Sequence, residues 1–200
     1  MPTDHAQPLR HAFCERADIP DSEWLHFRSL VHAKRFAAGE HLIREGCDGS
    51  TLYFIVRGLV RIYHNADGVE LVRGFDFENR ITGVYESVMT GAASTYSIQA
   101  LEPTETLAFP GAALRQMCDR HPAWDRLGRR MLEEQWLRSR DKETRFRLYS
   151  AEQHYRLLIA SHSPLLPRVP LRHLASYLRV RPETLSRIRA RLRPASDPAD

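Results

Sequence analysis

Residues 169–193 read Val-Pro-Leu-Arg-His-Leu-Ala-Ser-Tyr-Leu-Arg-Val-Arg-Pro-Glu-Thr-Leu-Ser-Arg-Ile-Arg-Ala-Arg-Leu-Arg. The stretch predicts two short amphipathic helices, opened by Pro170 and Pro182, because proline is tolerated in a first helical turn. Arg179-Val180-Arg181 forms the connection, with Val180 able to fill the angle between the helices. The apolar positions expected to face inward are Leu171, Leu174, Ala175, Leu178, Leu185, Ile188 and Leu192. This spacing is typical of a helix-turn-helix.

The same stretch carries a strong positive charge. From Arg168 to Arg193 there are eight arginines, and Glu183 is the only acidic residue. Such a surface attracts phosphates, and an arginine one turn into a helix, as Arg187 is, could bond guanine O6 and N7 while Glu183 accepts from cytosine N4. The alternative is a solvated basic helix in a helical bundle. A face of mixed charge would favour that alternative, whereas this face is almost entirely basic or small and polar. The predicted DNA-binding residues are Arg172, Arg181, Pro182, Glu183, Thr184, Ser186, Arg187, Arg189 and Arg191.

Helices are also predicted on the N-terminal side of this motif. One covers Ala151–His162 and ends at the break Ser163-Pro164-Leu165-Leu166-Pro167. Another covers residues 122–148 and carries an apolar stripe. The stripe packs either on the helix's own domain or against the same helix of a second copy, and we favour a homodimer because a helix-turn-helix normally works in pairs. The dimer-helix residues are Trp124, Leu127, Met131, Leu132 and Trp136.

Residues 33–109 have a different texture, in which short β-type runs alternate with glycine turns. This pattern is typical of an antiparallel barrel or sandwich. The turn Ala66-Asp67-Gly68 predicts a hairpin. The predicted strands are His41–Arg44, Leu52–Val56, Leu59–His64, Val69–Phe75, Thr95–Leu101 and Glu105–Phe109.

The composition is that of a globular protein, with 42% hydrophobic and 27% charged residues and a net charge of +4. No apolar run approaches the roughly 20 residues of a membrane span, and the polar N-terminus lacks a signal-peptide core. We therefore expect a cytoplasmic protein without a membrane partner. Residues 1–17 are predicted to be a flexible leader and residues 194–200 a disordered tail.

The chain resembles the Crp/Fnr family of bacterial regulators over roughly residues 18–193. Phe36-Ala-Ala-Gly-Glu40, Ile43-Arg-Glu-Gly46 and Leu52-Tyr-Phe-Ile-Val-Arg-Gly58 are similar to its opening strands, and Pro182-Glu-Thr-Leu-Ser-Arg-Ile-Arg189 to its recognition helix. The resemblance implies an α+β fold and a homodimeric transcriptional regulator that binds double-stranded DNA, with RNA polymerase as a possible partner.

The implied domains follow the order of that family: an antiparallel, cyclic-nucleotide-binding-like β-roll over residues 18–121, a dimerisation helix over 122–148 and a winged-helix-like helix-turn-helix domain over 149–193. Few residues follow Arg193, so a wing would have to lie before the helix pair, around Pro164–Val169.

The effector site departs from the family pattern. Members that bind cyclic AMP hold its phosphate with an arginine, because a buried anion needs a paired cation. Ser94 stands at that position, Tyr96 replaces a small alanine, and Arg80 is the nearby substitute. We therefore predict that the protein does not respond to cyclic AMP. Two alternatives stay open: the roll binds a different small molecule, or it binds no effector. The predicted effector-pocket residues are Arg80, Tyr85, Glu86, Ser94, Thr95 and Tyr96.

No cofactor or metal is predicted. Cys14, Cys47 and Cys118 form no local pair of the kind that zinc and iron–sulfur sites use, so unpaired thiols are expected, with redox sensing as the alternative. Lone histidines give weak support to haem. The sequence has no GxSxG, HExxH or glycine-rich phosphate loop, which argues against an enzyme. The remaining alternative is a small-molecule-binding module whose helical domain contacts proteins instead of DNA.

Overall fold

The computed structural model describes residues 5–192, so residues 1–4, Arg193 and the predicted tail 194–200 lie outside the described residues. Strands dominate the first half and helices the second. The strands are β1 His32–Phe36, β2 His41–Ile43, β3 Thr51–Arg57, β4 Leu59–Ala66, β5 Val69–Phe77, β6 Ile81–Thr82, β7 Ser97–Ala100 and β8 Thr104–Pro110. The helices are α1 Gln7–Cys14, α2 Asp21–Arg28, α3 Tyr85–Thr90, α4 Gly111–Arg120, α5 Pro122–Leu148, α6 Ala151–His162, α7 Leu171–Tyr177 and α8 Pro182–Leu192.

The strands form two antiparallel four-stranded sheets, in the orders β1-β8-β3-β6 and β2-β7-β4-β5. Alternating apolar residues of both sheets, such as Tyr53, Ile55, Val60 and Ile98, meet in one buried cluster. This roll, followed by a helical region, confirms the predicted α+β class. The six predicted strands are present, and β1 and β6 are additions. Both are edge strands: β1 is almost wholly exposed and β6 has two residues, so neither carries an apolar alternation.

The hairpin between β4 and β5 has the predicted turn. Asp67 and Gly68 have φ of 52° and 85°, the positive values that a two-residue hairpin turn of type I′ needs. Ala66 pairs with Val69 across the turn; the register shifts by one residue between Tyr63 and Ile62, and the pairing then runs to Leu59 opposite Phe77. The turn therefore fixes which residues of β5 lie beside the C-terminal helices.

The prediction of a flexible leader over residues 1–17 is wrong for most of its length. Helix α1 occupies Gln7–Cys14, with Leu9 and Phe13 almost fully buried. The Phe13 ring meets the Trp124 ring edge-on, with centroids 5.9 Å apart, and α2 adds Phe27 at 4.9 Å from Trp124. Apolar residues at spacings of three and four were the signal for this helix. Their burial fixes the first turns of α5 on the roll.

The C-terminal helices, residues 151–192, are called the helical unit below. Between Tyr149 and Leu192 no strand forms, and Ser163–Arg168 is a 3₁₀ helix. The wing expected around Pro164–Val169 is therefore absent from the described residues, because Pro164 and Pro167 favour a tight turn over a ladder strand. The apolar core of the unit extends onto the roll through Leu59, Phe75 and Phe77.

No helix within residues 5–192 is long and apolar enough to cross a membrane. The three cysteines are free: Cys14 and Cys47 are exposed, and Cys118 is half-buried.

Candidate functional site

Helices α7 and α8 form the predicted pair. Leu174, Ala175 and Leu178 of α7 are buried, as are Leu185 and Ile188 of α8. The turn is closed by the Val180 backbone N–H, which donates to the Ala175 carbonyl at 3.0 Å. Arg179 has φ of 58°, the left-handed conformation that lets the chain reverse within a few residues. The Ala175 backbone therefore closes the turn before α8, and its small side chain is buried in the core of this pair.

The outer face of α8 is open at its N-terminal end. Arg181, Pro182, Glu183, Thr184, Ser186 and Arg187 are all exposed. Glu183 and Arg187 lie one turn apart, and neither side chain has a hydrogen bond or ion pair to another residue within 5–192. Arg172 is exposed at the start of α7. The structure thus presents the residues predicted to read base edges as a free, rigidly supported face.

Two of the predicted DNA-binding arginines have partners within the chain. The Arg189 guanidinium lies over the Tyr155 ring, 5.7 Å from its centroid, and Arg191 donates to Glu152 at 2.6 Å. Arg189 is half-buried, so its expected position on the outer face is wrong. On α8, Arg189 lies next to the buried face formed by Leu185 and Ile188, on the side that meets α6.

A network of polar contacts attaches α7 to the roll. Arg61 of β4 is buried and makes a paired contact with Glu70, at 2.5 and 2.8 Å, while its Nη1 donates to His173 Nδ1 at 3.0 Å. The Ser176 hydroxyl donates to the Glu70 carbonyl and accepts from the Val72 N–H, each at 3.0 Å. The first helix of the motif therefore lies directly on β5.

Arg168 makes a second attachment. It donates to both oxygens of Glu78, at 2.7 and 3.0 Å, and to Glu102 at 2.6 Å. Glu78 also accepts from the Gly58 N–H, and these bonds, Arg168 first, lower the pKa of Glu78 to about 2. Gly58 has φ of 116°, and a Cβ there would meet Thr104, so only glycine fits. The charge of Arg168 is thus paired inside the molecule. Although Arg168 is one of the eight arginines of this stretch, it does not add to the basic surface that could bind DNA.

The apolar stripe of α5 is divided between two environments. Trp124 and Leu127 are fully buried in the chain's own core, so the prediction that they face a second copy is wrong for these two. Met131 is half-buried against the same core. Leu132 and Trp136 are 57% and 62% exposed, and Leu137 beside them is exposed as well. Only this second half of the stripe is a free apolar face.

The predicted effector residues do not form one pocket. Ser94 is buried and donates to the Tyr96 carbonyl at 2.5 Å, while Glu86 and Thr95 are exposed. The buried Tyr96 hydroxyl donates to the Gly83 carbonyl at 3.0 Å, and the Arg73 guanidinium lies 4.5 Å from its ring centroid. Tyr96 therefore occupies the space that a small residue would leave beside β7.

Arg80, Tyr85 and Tyr96 line a cavity of about 400 Å³ between the roll, α5 and the helical unit. It lies where β5, the second half of α5 and the ends of α6 and α7 meet. Sequence reasoning missed its other charged residues, although four of them share the spacing of one helical face in α5. These missed residues are Arg73, Asp76, Arg138, Asp141, Lys142 and Arg145.

Positive charge dominates the electrostatics of this cavity. Burial, Arg73 and Arg179 lower the pKa of Lys142 to about 8, and its ammonium donates to the Arg73 carbonyl. Burial raises the pKa of Asp76, and the positive charges of Arg80 and Arg138 oppose this rise. The Nη1 atom of Arg80 lies 3.7 Å from Oδ1 of Asp76. Desolvation followed by Arg80 lowers the pKa of His162, so this imidazole is a neutral neighbour of the cations.

Comparison with known proteins assigns the roll. Residues 33–121 match the cyclic nucleotide-binding domain. The matched stretch runs from β1 to the end of α4 and so contains all eight strands. A search of curated protein sequences gave no match.

Solved structures share the architecture of the cyclic nucleotide-binding domain and of the helices after it. FixK2 from Bradyrhizobium japonicum has a TM-score of 0.70 at 17% identity, over 81% of this chain and 84% of its own. The c-di-GMP-responsive global regulator CLP of Xanthomonas campestris has 0.66 at 19%, over 86% and 91%. DNR from Pseudomonas aeruginosa has 0.56 at 23%, over 94% and 87%. These are Crp/Fnr-type regulators, and at such identities the similarity shows the fold.

Proposed function

We propose that the chain is a homodimeric, sequence-specific DNA-binding transcriptional regulator of the Crp/Fnr type, acting in the cytoplasm. The observation that carries the proposal is the exposed outer face of α8. The side chains of Glu183 and Arg187 on that face have no partner among residues 5–192, and Leu185 and Ile188 on the opposite face are buried. A helix supported in this way can enter a major groove without loss of its own packing. The shared fold of the three regulators supports the same function.

The contacts follow from the chemistry of each side chain. Arg187 would bond guanine O6 and N7, and Glu183 would accept from cytosine N4. Thr184 and Ser186 suit phosphates or base edges, and Arg172 and Arg181 would bind phosphates. Arg189 would bind DNA only after losing its contact with the Tyr155 ring, and Arg191 only after losing its bond to Glu152.

The homodimer would form through the free half of α5. Leu132, Trp136 and Leu137 are exposed large apolar side chains on one helix, and burial of such a face is the usual driving force of association. Two copies of α8 related by a two-fold axis would read inverted half-sites about one helical turn apart.

Cyclic AMP is not the proposed effector. The position of the phosphate arginine holds Ser94, which is buried and bonded to the Tyr96 carbonyl. Tyr96 itself fills the neighbouring space with its hydroxyl bonded to Gly83. Neither Ser94 nor Tyr96 supplies a positive charge at that position, so they would not compensate the desolvation of a cyclic phosphate bound there.

Selection of bound sequences from random duplex DNA by the purified chain, at about 150 mM salt, tests this function. An inverted repeat with half-sites about ten base pairs apart is the expected result. Affinity for the selected site should fall steeply as salt rises from about 50 to about 200 mM, since phosphate contacts release counterions. If no sequence is enriched and the helical unit instead retains a protein, the proposal is wrong and the interaction module is the better description.

Arg187→Ala is the variant that tests base reading. We expect it to weaken binding to the selected site by about 1–3 kcal/mol and to relax the preference at one base pair of each half-site. Arg126→Ala is the matched control, because Arg126 is an exposed arginine on α5, away from α8. An unchanged selected sequence for Arg187→Ala would remove this residue from the reading face.

A further inference from the structure

We propose that a groove within the helical unit binds a small organic molecule that carries one carboxylate on an apolar body. The groove lies between α6, the 3₁₀ helix Ser163–Arg168 and the later turns of α8, and is called the α6–α8 groove below. Its volume of about 650 Å³ lies within the range of small-molecule sites. Within residues 5–192, its lining contains no residue of the roll or of α5, so it is separate from the cavity beside Lys142.

The walls of the α6–α8 groove are mainly apolar, and they would hold the body of the ligand. Part of this apolar surface is in contact with water, since Ile159 is 37% exposed although Leu166 and Val169 beside it are buried. An apolar group that displaces this water gains free energy from the hydrophobic effect. The apolar lining residues are Ile159, Leu166, Pro167, Val169, Leu171 and Leu192.

Arg189 supplies the only charge in the described lining of the groove. Its guanidinium lies 5.7 Å from the centroid of the Tyr155 ring, and its Nε atom is buried without a hydrogen-bond partner among residues 5–192. A buried N–H group without an acceptor costs free energy. A carboxylate would remove this cost, because its two oxygens can accept from Nε and from one Nη of the same guanidinium.

The carboxylate nearest in the sequence of α6 does not serve this purpose. Glu152 accepts from Arg156 at 3.1 Å and from Arg191 at 2.6 Å, and it makes no ion pair with Arg189. Arg189 is therefore the uncompensated cation of the groove. One cation favours a ligand with one negative charge, since a second buried charge on the ligand would have no partner.

The groove and the outer face of α8 occupy different sides of the helix. Arg189, Ala190 and Leu192 line the groove, whereas Glu183 and Arg187 do not. The inference therefore does not rest on DNA binding. A ligand in the groove would hold Arg189 beside Tyr155 whether or not the outer face contacts DNA.

The test is an NMR titration of the full chain, labelled at its Ile, Leu and Val methyl groups. Decanoate, below its micelle concentration, is the probe; decanol gives the apolar body without the charge, and acetate gives the charge without the body. We expect decanoate to shift the methyl signals of Ile159 and Leu192 and to leave that of Ile98, in the core of the roll, unchanged. Its affinity should exceed that of decanol by about tenfold, the gain expected for one charge-assisted contact.

Two variants test the two parts of the site. Arg189→Gln should weaken decanoate binding by about tenfold and leave decanol binding unchanged, a difference that loss of the fold would not produce. Ala190→Phe should block both probes, because the added ring would fill the groove at an exposed position that tolerates it. The matched control is Arg156→Gln, which removes an exposed arginine of α6 already paired with Glu152 and should change neither affinity.

Several results would overturn the proposal. Decanoate shifts confined to methyl groups of the roll would place the ligand elsewhere, and equal affinities for decanol and decanoate would show that Arg189 does not bind the carboxylate. An equal loss in Arg156→Gln and Arg189→Gln would reduce the effect to general attraction between charges. If decanoate shifts no methyl signal, the groove does not bind this class of molecule.

Discussion

His173 belongs to α7, and its buried side chain contacts the Arg61 guanidinium of the roll. Because Arg61 donates to Nδ1, the imidazole must keep a free electron pair there, and a proton on that atom would oppose the bond. Desolvation first, then Arg61 and Arg172, lower the pKa of His173 to about 4. A neutral His173 ring thus links α7 to Arg61 of β4.

This depressed pKa predicts a pH dependence of stability. Between the ordinary pKa of 6.5 and about 4, the unfolded chain binds a proton that the folded chain excludes, so the free energy of unfolding falls as pH falls through this window. The loss should be about 1–3 kcal/mol and should level off below the folded pKa. Urea denaturation of the wild type and of His173→Gln at a series of pH values measures it.

Other histidines contribute in the same direction, since the pKa values of His41, His154 and His162 are also lowered. The informative quantity is therefore the difference between wild type and His173→Gln, in which glutamine can still accept from Arg61. We expect the variant to lose less stability on acidification. The exposed His26→Gln is the control; if all three proteins show parallel curves, His173 does not exclude the proton.

At the scale of elements, α5 changes role along its length. Its first turns belong to the aromatic core with Phe13 and Phe27, and its later turns expose Leu132 and Trp136 to water while Lys142 faces the cavity. The 27 residues of α5 make more than seven turns at 3.6 residues each. Different turns and faces of one helix can therefore contact the core, the solvent and the cavity.

The double variant Leu132→Ala and Trp136→Ala should separate the proposed dimer. Each truncation removes apolar area from both copies, so we expect about 1–3 kcal/mol per side chain and a dissociation constant raised by at least about tenfold. Analytical ultracentrifugation measures the change. Leu25→Ala is the matched control, because Leu25 is 62% exposed on α2. A wild type that sediments as a monomer at all concentrations would contradict the dimer.

The same helix shows what the sequence could predict. Its bounds, and the pair α7–α8, follow from prolines and from apolar spacing, which are local properties. The period could not distinguish Trp124, covered by α1 and α2, from Trp136, because their environments depend on elements distant in sequence. The cavity was missed for the same reason: Lys142 meets Arg73 only after β5 and α5 pack together.

At the scale of the whole molecule, several polar contacts join the roll to the helical unit, and two clusters of them involve charged side chains at close range. In one cluster Arg168 binds Glu78 and Glu102, and in the other Arg61 contacts both Glu70 and His173. The side chains of Arg168 and Glu78 are about 30% exposed, so part of their attraction is screened. Both contacts would have to change before the helical unit could take another position.

Arg168→Ala should loosen this junction without unfolding either part. It leaves Glu78 and Glu102 without a cation, so we expect about 1–2 kcal/mol less stability and amide exchange in α7 faster by about tenfold. Hydrogen–deuterium exchange measures the second effect. Arg156→Ala, which breaks an exposed pair with Glu152 inside the helical unit, is the control. Unchanged exchange in α7 would show that its apolar contacts alone hold it.

The apolar core shared by the roll and the helical unit has a consequence for how this protein can be divided. Leu59, Phe75, Phe77 and Leu101 belong to strands or turns of the roll but are covered by residues after Ala151. A fragment that ends with α5 would expose these side chains to water and would tend to self-associate. A truncation series should therefore yield a monodisperse fragment of the roll only when polar residues replace Phe75 and Phe77.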